Sequence, residues 1–172
     1  TFLSGTRSAA CGGTTTIICF AAQEKGELLT PIVEDYHKRA KDSCIDYSFH
    51  LIISDPSDEV MNDEVPKLID QGHRSLKIFM TYPRNRLNDA EILKVLETAK
   101  RKQALVCVHA ENHDAIMYMT EKLLAAENNS TKFHAWAKPP LVEREAVHRV
   151  IMLSELLLSL IHISEPTRHH VI

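Results

Sequence analysis

Short apolar runs rich in β-branched residues alternate along this chain with longer stretches whose apolar positions recur at helical spacing. Residues 14–21 (TTTIICFA) follow a Gly12-Gly13 turn and predict a buried strand. Residues 29–41 are amphipathic and predict a helix, with Thr30 as its N-cap and Pro31 at its first position. Residues 46–54 (DYSFHLIIS) predict a second strand. Residues 57–71 predict a helix that Pro66 kinks or splits and Gly72 ends. A third strand is expected over 75–82. It precedes a helix over 88–102 with Ile92, Val95, Leu96 and Ala99 on one face. Residues 104–109 (ALVCVH) predict the fourth strand, and a helix follows from about 112 to 127. Pro139-Pro140 then introduces a last helix to about residue 157.

Strand and helix in regular alternation imply an α/β fold with a parallel sheet. The strands look apolar on both faces, as expected of a covered sheet or a closed barrel. A doubly wound sheet usually carries a Gly-rich phosphate loop after a strand, whereas Gly12-Gly13 precedes one. A (β/α)8 barrel gathers functional groups at the C-terminal ends of successive strands, where the informative residues of this chain fall. The expectation is a partial TIM-type barrel of about four β/α units over residues 1–157.

Composition narrows the function classes. The chain has 172 residues, a formal net charge of -3 and 44% hydrophobic residues, which suits one globular domain. Without a basic run or stripe, neither a nucleic acid nor an anionic membrane is an expected partner. No apolar stretch reaches the roughly 18 residues of a membrane span. Cys11, Cys19, Cys44 and Cys107 form no CxxC pair or zinc-finger spacing. They are expected as small buried hydrophobes in a reducing compartment, which implies the cytoplasm. The start at Thr1, with no initiator Met and no leader pattern, suggests the middle of a longer reading frame.

Lys77 carries the most chemical information. It lies in Ser-Leu-Lys-Ile-Phe-Met, inside an apolar strand, where burying an ammonium is costly. A lysine there is either close enough to a strand end to reach solvent or functional, as a Schiff-base amine or an amine that captures carbon dioxide. His109 ends the next strand, 32 residues after Lys77 and one β/α unit further on. Alone it is a satisfied core or loop histidine; beside Lys77 it becomes a candidate ligand for zinc, manganese or iron. Tyr82, five residues past Lys77, could donate its hydroxyl to a developing oxyanion or pack as a rim aromatic. His50, inside FHLII, is expected to pack in the core. His113, His134 and His148 have no ligand spacing, and Glu111 in HAEN forms no HExxH motif.

Several ordered motifs resemble the hydantoinase/dihydropyrimidinase family of cyclic amidohydrolases. They are Ser4-Gly5-Thr6-Arg7 with Gly12 through Ile18, Ser75 through Tyr82, Val108-His109-Ala110-Glu111-Asn112-His113-Asp114, and Pro139-Pro140-Leu141-Val142-Glu143 with Glu145-Ala146. Cys19-Phe20-Ala21-Ala22-Gln23 and Phe49-His50-Leu51-Ile52 look closest to bacterial phenylhydantoinase-like members. The resemblance implies a (β/α)8 barrel holding two divalent metal ions, usually zinc. It implies that Lys77 is the carboxylated lysine bridging both metals, that His109 ligates one of them, and that Tyr82 binds the ring carbonyl. Substrates would be dihydropyrimidines or 5-substituted hydantoins, opened to N-carbamoyl amino acids by a cytoplasmic enzyme that is commonly a homotetramer. Allantoinase- or dihydroorotase-like amidohydrolases and a non-catalytic dihydropyrimidinase-related scaffold protein are the alternatives.

The same resemblance expects a His-x-His motif before Thr1, an aspartate after Ile172, and a second histidine ligand after the last helix. His162 resembles that ligand but arrives about three residues early. Residues 158–168 (LSLIHISEPTR) match one translation frame of a widely used transposon sequencing adapter. Residues 158–172 are therefore expected to be a non-native tail, in which His162, His169 and His170 have no function.

Overall fold

A computed structural model describes residues 1–163. Its sheet is parallel throughout, in the order β1 (Thr16–Ala22), β2 (Asp46–Ile52), β3 (Ser75–Phe79), β4 (Leu105–His109) and β5 (Ile161–Ile163). A doubly wound sheet reverses its strand order at a switch point, whereas a barrel steps steadily in one direction. The unbroken order makes this sheet an arc of a TIM-type barrel. The connecting helices are α1 (Phe2–Cys11), α2 (Leu29–Ala40), α3 (Val65–Asp70), α4 (Asp89–Lys102), α5 (His113–Ala125), α6 (His134–Ala137) and α7 (Pro140–Leu157).

Alternate strand positions decide what the sheet covers. Ala21, Leu51, Leu76, Ile78, Val106 and Val108 join helix residues such as Val33, Leu68, Leu96 and Val150 in one buried cluster. Burying each such aliphatic side chain stabilises the fold by about 1.5–3 kcal/mol. The intervening positions face the other way, and there Ile18 is 51%, Phe20 48% and Leu105 39% exposed. Helices cover one face, and the other, the inside of the arc, is open, as expected of a partial barrel.

Local chemistry explains where elements differ from the sequence pattern. α1 is unanticipated, because only Thr6 of its ten residues is buried and no apolar stripe marks it. A capping box between Thr1 and Ser4 starts it, and Phe2 reaches Phe49 edge-on at 6.4 Å. The expected helix over 57–71 is a π-turn, Val60–Glu64, followed by α3, with Pro66 in the first turn of α3 rather than at a kink. Thr30 is not the cap of α2; Leu28 holds that position without a side-chain bond. Instead the Glu64 carboxylate accepts from the Leu29 and Thr30 amides at 2.6 and 3.0 Å, an anion placed on the positive end of the helix. α4 has the predicted buried face and an Asn88–Glu91 capping box.

Five strands stand where four are expected. Ile161–Ile163 pair with Val106–Val108, and the Val106 amide donates to the Leu160 carbonyl at 3.2 Å. A parallel edge with unpaired amides readily captures a short extended segment such as Ile-His-Ile, whatever its origin. The remainder of the proposed tail, with His169 and His170, lies outside the described residues. Cys107 is buried, but Cys11 and Cys44 are exposed rather than buried as expected, and all four thiols are free. Among the described residues no helix is long and apolar enough to cross a membrane.

Candidate active site

The candidate residues converge where β3 and β4 end. In their parallel register Lys77 lies opposite Cys107, and Phe79 opposite His109. All four therefore share the open face, with His109 one step nearer the strand ends. Lys77 is only 5% exposed, so it does not simply reach solvent from a strand end. Its Nζ lies 4.8 Å from the centroid of the Phe79 ring, and that ring stacks on His109 with centroids 5.6 Å apart. Phe79, which the sequence reading passes over, is the apolar spacer between the two candidate ligands.

Tyr82 joins them through a strained turn. Its φ of 69° is left-handed for a residue with a Cβ, a conformation that costs about 1–3 kcal/mol. The turn is held by the Asn85 and Arg86 amides, which donate to the Tyr82 carbonyl, and by the Leu87 amide, which donates to the Phe79 carbonyl. The Tyr82 ring is thereby folded back to within 5.0 Å of the His109 ring.

Two further residues complete the corner. Glu111 Oε2 lies 2.9 Å from His109 Nε2 and accepts at 2.9 Å from Lys138 Nζ. Lys138, in the segment joining α6 to α7, also lies 5.2 Å from the Tyr82 ring centroid. Burial works to raise the Glu111 carboxyl, but hydrogen bonds from His109 and Lys138, with their charges, outweigh it and hold it below its ordinary value. Burial likewise opposes the Lys138 ammonium, but Glu111 and the Tyr82 hydroxyl raise it above its ordinary value. Tyr82, His109, Glu111, His134, Lys138 and Pro139 line a cavity of about 240 Å³ here. The absence of HExxH hides Glu111 in the sequence, where its only signal is its place two residues beyond a strand-end histidine. Nothing local marks Lys138.

The other histidines stay apart. His50 is corrected from the core to the open face, where its Nδ1 is 2.6 Å from Ser75 Oγ and its ring stacks on Phe20 at 5.1 Å. Burial, and then the charge of Lys77, lowers its pKa. His113 meets Thr81, His148 is exposed, and His162, also exposed, sits in register with Cys107.

Among the described residues no group of three or more His, Cys, Asp or Glu comes together to hold a metal ion. A buried amine and a carboxylate-tied imidazole on neighbouring strands nevertheless suit a metal as two donors of a larger set.

Known proteins similar to this chain in sequence and fold carry a consistent name. A D-hydantoinase from Ralstonia pickettii is 41% identical over 169 residues, covering 97% of this chain and 37% of that protein. A D-phenylhydantoinase from Escherichia coli is 38% identical over 157 residues, 90% of this chain and 34% of that protein. A solved D-hydantoinase structure superposes with a TM-score of 0.92 at 41% identity, over 95% of this chain and 36% of that one. The chain belongs to the hydantoinase/dihydropyrimidinase family. A dihydropyrimidinase structure from Brevibacillus agri NCHU1002 agrees, with a TM-score of 0.89 at 39% identity over 94% of this chain. No family profile matches the chain. The chain spans 34–37% of the length of these relatives, so it holds only part of a hydantoinase-like barrel.

Proposed function

We propose that the whole protein carrying this chain is a metal-dependent hydrolase of cyclic amides. It opens dihydropyrimidines or 5-substituted hydantoins to N-carbamoyl amino acids, in the cytoplasm. The observation that carries this reading is Lys77, buried on the open face of the arc and one strand from His109. The neutral form of a lysine amine can add carbon dioxide to give a carbamate, releasing a proton. The carbamate oxygens of Lys77 and one nitrogen of His109 would then serve two divalent ions, zinc being expected, with other donors coming from beyond the described residues. Such ions supply Lewis-acid polarisation and acidify water near neutral pH. Tyr82 would direct its hydroxyl at the ring carbonyl as negative charge develops there.

A panel of hydantoin, dihydrouracil, allantoin and dihydroorotate tests the reaction class. The expected result is turnover of the first two by the whole protein. Turnover confined to allantoin or dihydroorotate, or to none of the four, contradicts it. We also propose that residues 158–172 are adapter-derived and that His162 ligates nothing. Native codons running through this stretch into a proline-containing loop would overturn that.

A further inference from the structure

Among the described residues, the Glu111–Lys138 pair is the most enclosed ion pair, with side chains only 13% and 21% exposed. Several other pairs lie at helix surfaces, where such contacts contribute little. Enclosure raises what a lost partner would cost, and neither residue takes part in the chemistry proposed above. Their geometry has a direct consequence for His109. A carboxylate can only accept, so the hydrogen between Glu111 Oε2 and His109, at 2.9 Å, belongs to His109 Nε2.

Resting on the proposed metal site, we infer that Glu111 is a positioning residue. It fixes the orientation of the His109 ring by holding Nε2–H on its carboxylate. Lys138 positions Glu111 in turn. Its ammonium occupies the same Oε2 that receives His109, so the carboxylate has little freedom to rotate away. Lys138 also lies beside the Tyr82 ring, which ties the tyrosine and the histidine to one anchor. The anchor is fixed from behind, because Pro139 and Pro140 restrict the backbone that carries Lys138 into α7. Partners of this kind around a metal-bound histidine typically change metal affinity by about 10–100-fold.

Two readouts on the whole protein test the inference. In the zinc-free protein, proton NMR should show an exchange-protected imidazole Nε2–H for His109 that disappears in Glu111→Ala. This arm needs no metal, so absence of that signal from the wild type, or its persistence in Glu111→Ala, overturns the positioning role even if the metal site is real. In the second arm, Zn²⁺ affinity is measured by chelator competition. Glu111→Ala should weaken it about 10–100-fold. Lys138→Met should weaken it less, and Lys138→Arg should restore it. Wild-type zinc affinity in Glu111→Ala overturns the inference. A wild type that takes up no zinc overturns the proposed metal site instead and leaves the NMR arm to decide the His109–Glu111 contact. Matching thermal melts of the zinc-free variants separate a site effect from a general loss of fold.

Discussion

Lys77 and His109 are legible in the sequence because their residue types conflict with their surroundings. A lysine between Leu76 and Ile78 must either be served by a special environment or be misplaced, and the structure buries it. Glu111 and Lys138 carry no such conflict. An acidic residue after a strand and a lysine before a proline pair are ordinary at the surface, and only folding brings them together over 27 residues of sequence. On the proposed role of Tyr82, Tyr82→Phe should lower kcat of the whole protein roughly 100- to 1,000-fold, the effect of losing one oxyanion donor. KM should change little, because the hydroxyl's contribution grows as charge develops; a steady-state comparison on hydantoin checks this. A variant with unchanged kcat would leave Tyr82 as a rim aromatic.

The elements that the pattern anticipates best are those with a clear apolar face, such as α4, whose buried Ile92, Val95, Leu96 and Ala99 match the expectation. α1 escapes because small residues dominate it, and the start of α2 is misread because its cap comes from Glu64, 35 residues away from Leu29. Glu64→Gln should destabilise the protein by about 1–3 kcal/mol through these two charge-assisted bonds. Urea denaturation of the whole protein reads this directly. The contact of α2 with the turn after α3 makes a second, pH-dependent prediction. His73 packs against Phe49 and His37, its Nε2 3.4 Å from that of His37, and burial followed by the charge of His37 lowers its pKa from 6.5. The folded state therefore resists a proton that the unfolded chain accepts. The contribution of His73 is complete above pH 6.5 and is lost as pH falls through its lower folded value. Replacing His73 with Phe should flatten that part of the stability profile, measured by thermal melts across mildly acidic pH.

At the scale of the molecule, a five-stranded arc leaves β1 and β5 as its edges and Ile18, Phe20 and Leu105 on an uncovered inner face. An apolar face and parallel strand edges of this kind favour self-association. The 172-residue chain alone should therefore bind a hydrophobic dye, associate as its concentration rises, and open no hydantoin. Monodisperse behaviour with a cooperative melt would show that the arc is self-sufficient. The barrel was legible from the regular β/α alternation and the placement of chemistry at strand ends. Its openness was legible too, because about four of eight β/α units leave two strand edges and an apolar inner face uncovered.

The most direct test of the central claim is one comparison. The whole protein and its Lys77→Ala variant are assayed for hydantoin ring opening and for bound divalent metal, in the presence of bicarbonate. The account predicts turnover and bound metal in the first and loss of both in the second, with the fold retained by circular dichroism. A folded Lys77→Ala variant that still binds metal and opens hydantoin would contradict it.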